Sequence, residues 1–158
     1  MKLLIISDTH IPDRTKALPE HILALGESVD AIVHAGDFTS EDTFGLLKAL
    51  GPPLYAVRGN MDDSGLARVL DDKLVFELQG LRIGLTHGSG APWGLADRVR
   101  KAFPDDIDVI VFGHSHLPFL EETDGLLLFN PGSAAEGSYG MLYLEGGMAS
   151  GEIRHLEK

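Results

Sequence analysis

The sequence predicts an α/β fold in which two sheets lie face to face with helices outside. Three observations predict it. The first sixty residues alternate short apolar runs with amphipathic stretches, strand, helix, strand, helix, strand, which implies a mainly parallel sheet covered by helices. The second half changes rhythm to apolar runs joined by tight turns, as in a second sheet with antiparallel hairpins. No repeat, low-complexity tract or linker interrupts the chain, so residues 1–158 read as one domain.

Each element has its own reason. Lys2 to Ser7 is a continuous apolar run, a strand buried on both faces, and it ends in Asp8-Thr9-His10. Pro12 and Pro19 punctuate the next loop. Leu18, Ile22, Leu23 and Leu25 predict a helix that Gly26 stops. Asp30 to Ala35 is a second buried strand, ending in Gly36-Asp37. Ser40 fits the N-cap of a helix carrying Phe44, Leu46, Leu47 and Leu50, with Gly51 as its stop. Leu54 to Val57 is a third strand, ending in Arg58-Gly59-Asn60. Lys73 to Gln79 alternates like a half-buried strand, and Gly80 turns the chain into Leu81 to Thr86, which ends in His87-Gly88. Trp93 to Phe103 places Leu95, Val99 and Phe103 on one helical face. Asp108 to Phe112 leads into Gly113-His114-Ser115-His116. Leu117 to Glu122, Gly125 to Phe129, Ser138 to Glu145 and Met148 to Leu156 read as strands of the second sheet, with Asp124-Gly125 and Gly146-Gly147 as hairpin turns.

Composition narrows the function. The net charge is -11, from 24 acidic and 13 basic residues, which argues against an extended nucleic-acid surface or an anionic membrane. It leaves a small anionic substrate open, because bound metal ions reverse the local sign. The chain has no cysteine, so disulfides and thiolate sites are excluded. Leu3 to Ile6 is too short for a signal peptide and no run approaches membrane-spanning length, which makes the cytoplasm the expected location.

The polar residues collect where a parallel sheet places ligands, beyond the carboxyl ends of its strands. Asp8, His10, Asp37 and Asn60 end the first three strands, and His87, His114 and His116 end later ones. On extended backbone, residues i and i+2 face the same way, so Asp8 with His10, and His114 with His116, can each converge on one point. Helix capping or loop bonding is the competing reading for Asp8 and Asp37, and a left-handed turn for Asn60. His34 lies inside a strand and reads as a packed histidine; His21 and His155 read as surface residues. Arg58 could reach a phosphate or pair with an acid. Asp62 could orient a ligand histidine or start a helix as an exposed carboxylate. Asn130 to Ser133 is a tight turn.

Together these residues carry a resemblance. Asp8-x-His10, Gly36-Asp37, Gly59-Asn60, His87-Gly88 and Gly113-His-Ser-His116 stand in the order and approximate spacing of the calcineurin-like metallophosphoesterases. Asn130-Pro131-Gly132-Ser133 narrows this to the small bacterial and archaeal phosphodiesterase branch, whose fold is also that of a retromer subunit. The resemblance covers nearly the whole chain. It implies a four-layer α/β/β/α sandwich of two mixed sheets and two divalent metal ions. One ion would be held by Asp8, His10 and His116, the other by Asn60, His87 and His114, with Asp37 bridging. Such ligands suit manganese, the first expectation, and also iron, zinc, nickel or cobalt. A shared carboxylate can hold two cations about 4 Å apart, where they acidify a bridging water for in-line attack on phosphorus. Asn60 would also meet the phosphoryl oxygens, and Asp62 is a tentative catalytic acid.

Three departures bear on the substrate. Larger relatives carry a leaving-group histidine after Gly-Asn, where this chain has Met61; many small members have a second histidine where this one has Ser89; and the turn after Ser133 lacks an arginine often found there. The missing acid and base favour a phosphodiester with a tolerable leaving group. The expected function is therefore a metal-dependent phosphodiesterase acting on a small phosphate ester, by attack of a metal-bridging hydroxide. A phosphomonoesterase and a non-catalytic protein-binding scaffold of the same fold are the alternatives, and self-association into a homo-oligomer is left open.

Overall fold

Apolar runs buried on both faces set the architecture. In β1 (Lys2–Ile6), Leu3 and Ile5 face one apolar layer and Leu4 and Ile6 another, and all four are fully buried. The computed structural model describes residues 1–156 and divides them into two five-stranded sheets. Following β1 come α1 (Glu20–Ser28), β2 (Ala31–His34), α2 (Glu41–Lys48), β3 (Leu54–Ala56), α3 (Ser64–Val69), β4 (Lys73–Leu78), β5 (Leu81–Thr86), α4 (Leu95–Lys101), β6 (Val109–Val111), β7 (Phe119–Thr123) and β8 (Leu126–Asn130). A 3-10 turn (Ala134–Glu136), β9 (Ser138–Glu145) and β10 (Met148–His155) complete the order.

The first sheet runs β10-β9-β1-β2-β3 and the second β4-β5-β6-β8-β7. Both are mixed: β1, β2 and β3 pair in parallel, as do β5, β6 and β8, while β9, β10, β4 and β7 join antiparallel. Three apolar layers hold the stack. Leu3, Val33, Ile83, Val111 and Phe129 pack between the sheets. Leu4, Ile32, Phe38 and Leu66 pack under the helices of the first sheet, and Val99, Phe103 and Ile110 under α4. This is the four-layer α/β/β/α sandwich.

Four details depart from the sequence expectation. The hairpin β9–β10 belongs to the first sheet, where β9 lies against β1 with Leu3 opposite Leu142; its alternating pattern states which residues are buried and not which strand they join. Gly26 does not stop α1, which continues to Ser28, because the buried glycine makes room for Leu50 and Ile32. Helix α3 went unpredicted; it is six residues long, too short to show a period. Ser40 sits at the N-cap of α2, but its hydroxyl meets that of Thr43 at 3.2 Å and not a backbone N–H. The expected turns at Asp124-Gly125 and Gly146-Gly147 have positive φ at both residues, as the twist of a two-residue hairpin requires. The fold gathers the carboxyl ends of β1, β2, β3, β5 and β6 at one edge of the sandwich.

Candidate metal centre

Backbone bonds between neighbouring strand-end loops assemble the site. The Asp8 N–H donates to Gly36 O at 2.9 Å, that of His10 to Asp37 O at 3.1 Å, and that of Gly113 to His87 O at 3.1 Å. Two glycines permit the close approach: a Cβ on Gly59 would collide with the Asp37 carboxylate, and one on Gly113 with Ser7 and Asp8. Asp8, His10, Asp37, His114 and His116 all adopt positive φ, between 47 and 72°, a conformation that non-glycine residues hold only where the surroundings enforce it.

The side chains converge. Asp8, His10, Asp37 and His87 are almost fully buried. Asp8 Oδ2 accepts from the Ser7 hydroxyl at 2.6 Å and from the His114 N–H at 3.1 Å. Asp8 Oδ1 is buried without a hydrogen-bond partner. It faces ring nitrogens instead, lying 3.3 Å from His116 Nε2, 3.6 Å from His10 Nε2 and 3.8 Å from His87 Nε2. Asp37 Oδ2 approaches two of the same rings, 3.6 Å from His10 Nε2 and 3.2 Å from His87 Nε2. His10 and His116 turn their Nε2 atoms toward each other at 3.3 Å. Two imidazole lone pairs that close repel unless a proton or a cation lies between them.

The outer nitrogens fix which ring atoms are free. His87 Nδ1–H donates to Ala35 O at 2.6 Å, so Nε2 faces the cluster, 3.1 Å from Asn60 Oδ1. His116 Nδ1 lies 3.1 Å from the Glu136 carboxylate, which leaves its Nε2 inward. His114 Nε2–H donates to Gly90 O at 2.8 Å, so Nδ1 is its ring nitrogen left to ligate. The side chains fit divalent cations: Asp8, His10 and His116 form one group with ligand atoms within 4.8 Å of one another, and Asp8, Asp37 and His87 a second. Asn60 and His114 adjoin the second group without being part of it, Asn60 through His87, and His114 with its ring centroid 5.2 Å from that of His87.

Charge follows this geometry. Burial pushes Asp8 up, but the neighbouring rings of His10, His116 and His87 and the Ser7 hydroxyl outweigh it and hold the carboxyl far below the usual range. Asp37 is likewise lowered, burial being outweighed mainly by His87. His116 is raised, chiefly by the Asp8 carboxylate beside it; His87 is raised because Asp37 and Asp8 outweigh its burial.

The supporting residues are more numerous than the sequence suggested. Asp62 neither orients a histidine nor starts a helix. Its carboxylate accepts the backbone N–H groups of Gly59 at 2.7 Å, Thr39 at 2.8 Å and Asp37 at 3.2 Å, tying the Asp37 and Asn60 loops together. Burial raises its pKa against those bonds. The helix-start carboxylate is Asp63, which accepts from Leu66 N at 2.9 Å. Buried His34 stacks on Phe38, accepts from Gly36 N at 3.1 Å and meets Thr9 Oγ1 at 3.2 Å; burial lowers its pKa to about 3, so it is neutral. Ser133 Oγ donates to Asp8 O, and Asn130 Nδ2 to Gly113 O, so the Asn130–Ser133 turn braces two ligand loops. Arg58 pairs with Asp72 at 2.5 and 3.0 Å. His21 and His155 are exposed, although His21 Nε2 meets Tyr139 OH at 2.9 Å.

Glu136 and Arg14 were missed altogether. Arg14 Nη1 stands 3.3 Å from His116 Nδ1 and 3.9 Å from Glu136, a cation on the rim of the centre. Neither residue lies in a motif; Arg14 and His116 are 102 positions apart. Ser7 and Ser133, in contrast, carried a signal in their adjacency to Asp8 and to the Asn-Pro-Gly turn.

Comparison with known proteins identifies the family. Residues 1–146 match the model of the calcineurin-like phosphoesterase superfamily domain. A probable metallophosphoesterase of Methanothermobacter thermautotrophicus is 40% identical over 134 residues, 84% of this chain and 77% of that protein. A phosphodiesterase of Methanocaldococcus jannaschii is 30% identical over 146 residues, 84% of this chain and 83% of its own. The solution structure of a Thermotoga maritima protein superposes with a TM-score of 0.79 at 41% identity, covering 98% of this chain and 99% of the other. Vacuolar Protein Sorting 29 from Cryptosporidium parvum shares the fold at 22% identity, with a TM-score of 0.75 and 99% and 98% covered. No helix among the described residues is long and apolar enough to cross a membrane. The match over residues 1–146, the relatives' identity, a matching fold and candidate ligand side chains gathered at one sheet edge place this protein in the calcineurin-like phosphoesterase superfamily.

Proposed function

We infer that the protein is a phosphodiesterase that works with two divalent metal ions, manganese being the first candidate. The observation that carries this reading is the buried, unpartnered Asp8 Oδ1 facing the Nε2 atoms of His116, His10 and His87. An uncompensated buried carboxylate oxygen is costly, and a cation among those donors removes the cost. Asp8, His10 and His116 would hold one ion, His87, Asn60 and His114 the other, and Asp37, within 3.6 Å of His10 Nε2 and 3.2 Å of His87 Nε2, would serve both. Bound there, the ions supply an acidified water and positive charge for the phosphoryl oxygens.

The chain's own residues do the rest. Asn60 turns Oδ1 to His87, and its Nδ2–H₂ makes no hydrogen bond among the described residues, so it can donate to a phosphoryl oxygen. Asp62 spends its carboxylate on three backbone N–H groups, the role of a clamp. Arg14 adds a cation at the rim, offset by Glu136. That near-cancellation suits a singly charged diester better than a doubly charged monoester. Met61, whose side chain is exposed, has no proton to give.

The test is turnover by manganese-reconstituted protein of matched aryl diesters and monoesters. Diester cleavage abolished by Asp37→Ala, with little monoester cleavage, supports this reading. Preference for monoesters would make it a phosphomonoesterase. Metal binding without turnover of either class would favour the scaffold.

A further inference from the structure

A cavity of about 560 Å³ opens beside the metal centre. Asn60 and His87 line it, so it adjoins side chains read above as holding the second ion. Its apolar lining comes from Ala67 of α3, Leu95 and Val99 of α4 and Ala102 at the end of α4, while Asp62 and Asp72 are among its polar residues. Gly88 lets the α4 wall close on His87, because a Cβ there would sit 3.0 Å from Leu95 Cδ1 and 3.5 Å from Val99 Cγ1. The size suits an aromatic or nucleoside-like group.

Two arginines line the same cavity, and they differ. The Arg58 fork grips Asp72 and its third bond goes to Ala67 O at 2.6 Å, so its charge is met. Arg98 donates to Trp93 O at 2.9 Å, to Ser89 O at 2.8 Å and to Ala91 O. It makes no ion pair among the described residues. Carbonyl dipoles satisfy N–H groups without cancelling the charge. In a chain of net charge -11, an arginine without a carboxylate, on the wall of a cavity that adjoins metal-site side chains, marks a place for an anion.

We propose that this cavity seats one organic arm of the phosphodiester, an arm with an apolar body and an anionic group that reaches Arg98. This rests on the phosphodiesterase reading for the position of the phosphorus. A phosphorus held at the ions directs one substituent past Asn60 and His87 into the cavity and leaves the other toward solvent. Ala67, Leu95 and Val99 cover the body of the arm, and Arg98 sets its charge preference.

The experiment measures binding, by calorimetry and by amide NMR shifts, to the zinc-loaded protein. The probes are three phosphinates, which mimic a diester and have no ester bond to cleave: dimethyl, methyl phenyl and methyl 4-carboxyphenyl. The phenyl compound is expected to bind roughly tenfold tighter than the dimethyl one through ring burial, shifting the amides of Leu95 and Val99. The carboxylate is expected to add roughly threefold, as a partly exposed ion pair does. Ala67→Phe and Ala102→Phe, one in α3 and one at the end of α4, bring the phenyl compound down to the dimethyl affinity, and Arg98→Gln removes only the carboxylate's increment. Equal affinities of the three probes, or arm-dependent gains that survive both phenylalanine variants, overturn the proposal. Dimethylphosphinate binding without any arm preference defeats the cavity assignment alone. Arm-dependent binding by a protein that cleaves no diester upholds the cavity and defeats the phosphodiesterase reading.

Discussion

Glu136 Oε1 lies 3.1 Å from Nδ1 of His116, across 20 residues of sequence. A carboxylate behind a ligating imidazole fixes its tautomer and raises its basicity. Glu136→Ala is expected to weaken the ion held by Asp8, His10 and His116 by about tenfold, the low end for such partners, because Glu136 is 57% exposed. Glu136→Gln, which can still accept from Nδ1–H, costs less. Chelator competition measures both; unchanged affinity in the alanine variant would make the contact incidental.

Asp62 gathers three N–H groups from two loops. Asp62→Ala leaves those donors without their charged acceptor and is expected to cost about 2–4 kcal/mol of stability. Asp62→Asn keeps one oxygen acceptor and costs less. Denaturant unfolding decides: an alanine variant with the wild-type midpoint would show that the clamp contributes nothing.

The stability profile should reverse with metal. In the metal-free protein His87 and His116 have pKa values raised above 6.5. Their contribution is therefore full below about pH 6.5 and is lost as pH climbs through the raised values. His34, held near 3, is neutral in both states above pH 6.5 and adds no slope there. Asp8 and Asp37 act at the other end, their contribution being lost only as acid protonates them below 3.8. Metal competes with protons for the same ring nitrogens, so its affinity rises from about pH 5 to 8. Melting temperatures between pH 6.5 and 8 should fall with chelator and rise with metal; parallel profiles would contradict the assignment of these rings as ligands.

On the proposed reaction, Met61 leaves the departing group without a positioned acid. A positioned acid is worth roughly 10²- to 10⁴-fold, and with methionine there the rate should depend steeply on leaving-group pKa. Met61→His should flatten that dependence by helping poor leaving groups most. Substituted phenyl diesters under metal saturation provide the series. A shallow wild-type slope that Met61→His leaves alone would show that bond cleavage does not limit the rate.

The candidate ligands were legible because the chain marks them twice, by residue type and by position after an apolar run. Asp8, Asp37, Asn60 and His87 each lie in the loop that follows a strand, and Gly59 and Gly113 are glycine because a side chain would strike the carboxylates. Strand membership was not legible. The pattern of β9 shows which side chains are buried, but its place beside β1 depends on the register of Leu3 with Leu142. Nor were Glu136, Arg14 and the clamp at Asp62: exposed or half-buried charges carry no period, and their partners come from distant loops. Arg98 gave no signal at all, since what distinguishes it is a missing carboxylate, visible only in three dimensions.

The central claim is a two-metal centre bridged by Asp37, and counting metal tests it most directly. The purified chain, stripped and reconstituted with manganese at pH 8, goes to elemental analysis beside Asp37→Ala. The prediction is about two ions per chain, with Asp37→Ala losing at least one and all diester turnover. One ion per chain, unchanged by Asp37→Ala, would contradict the bridge and the mechanism built on it.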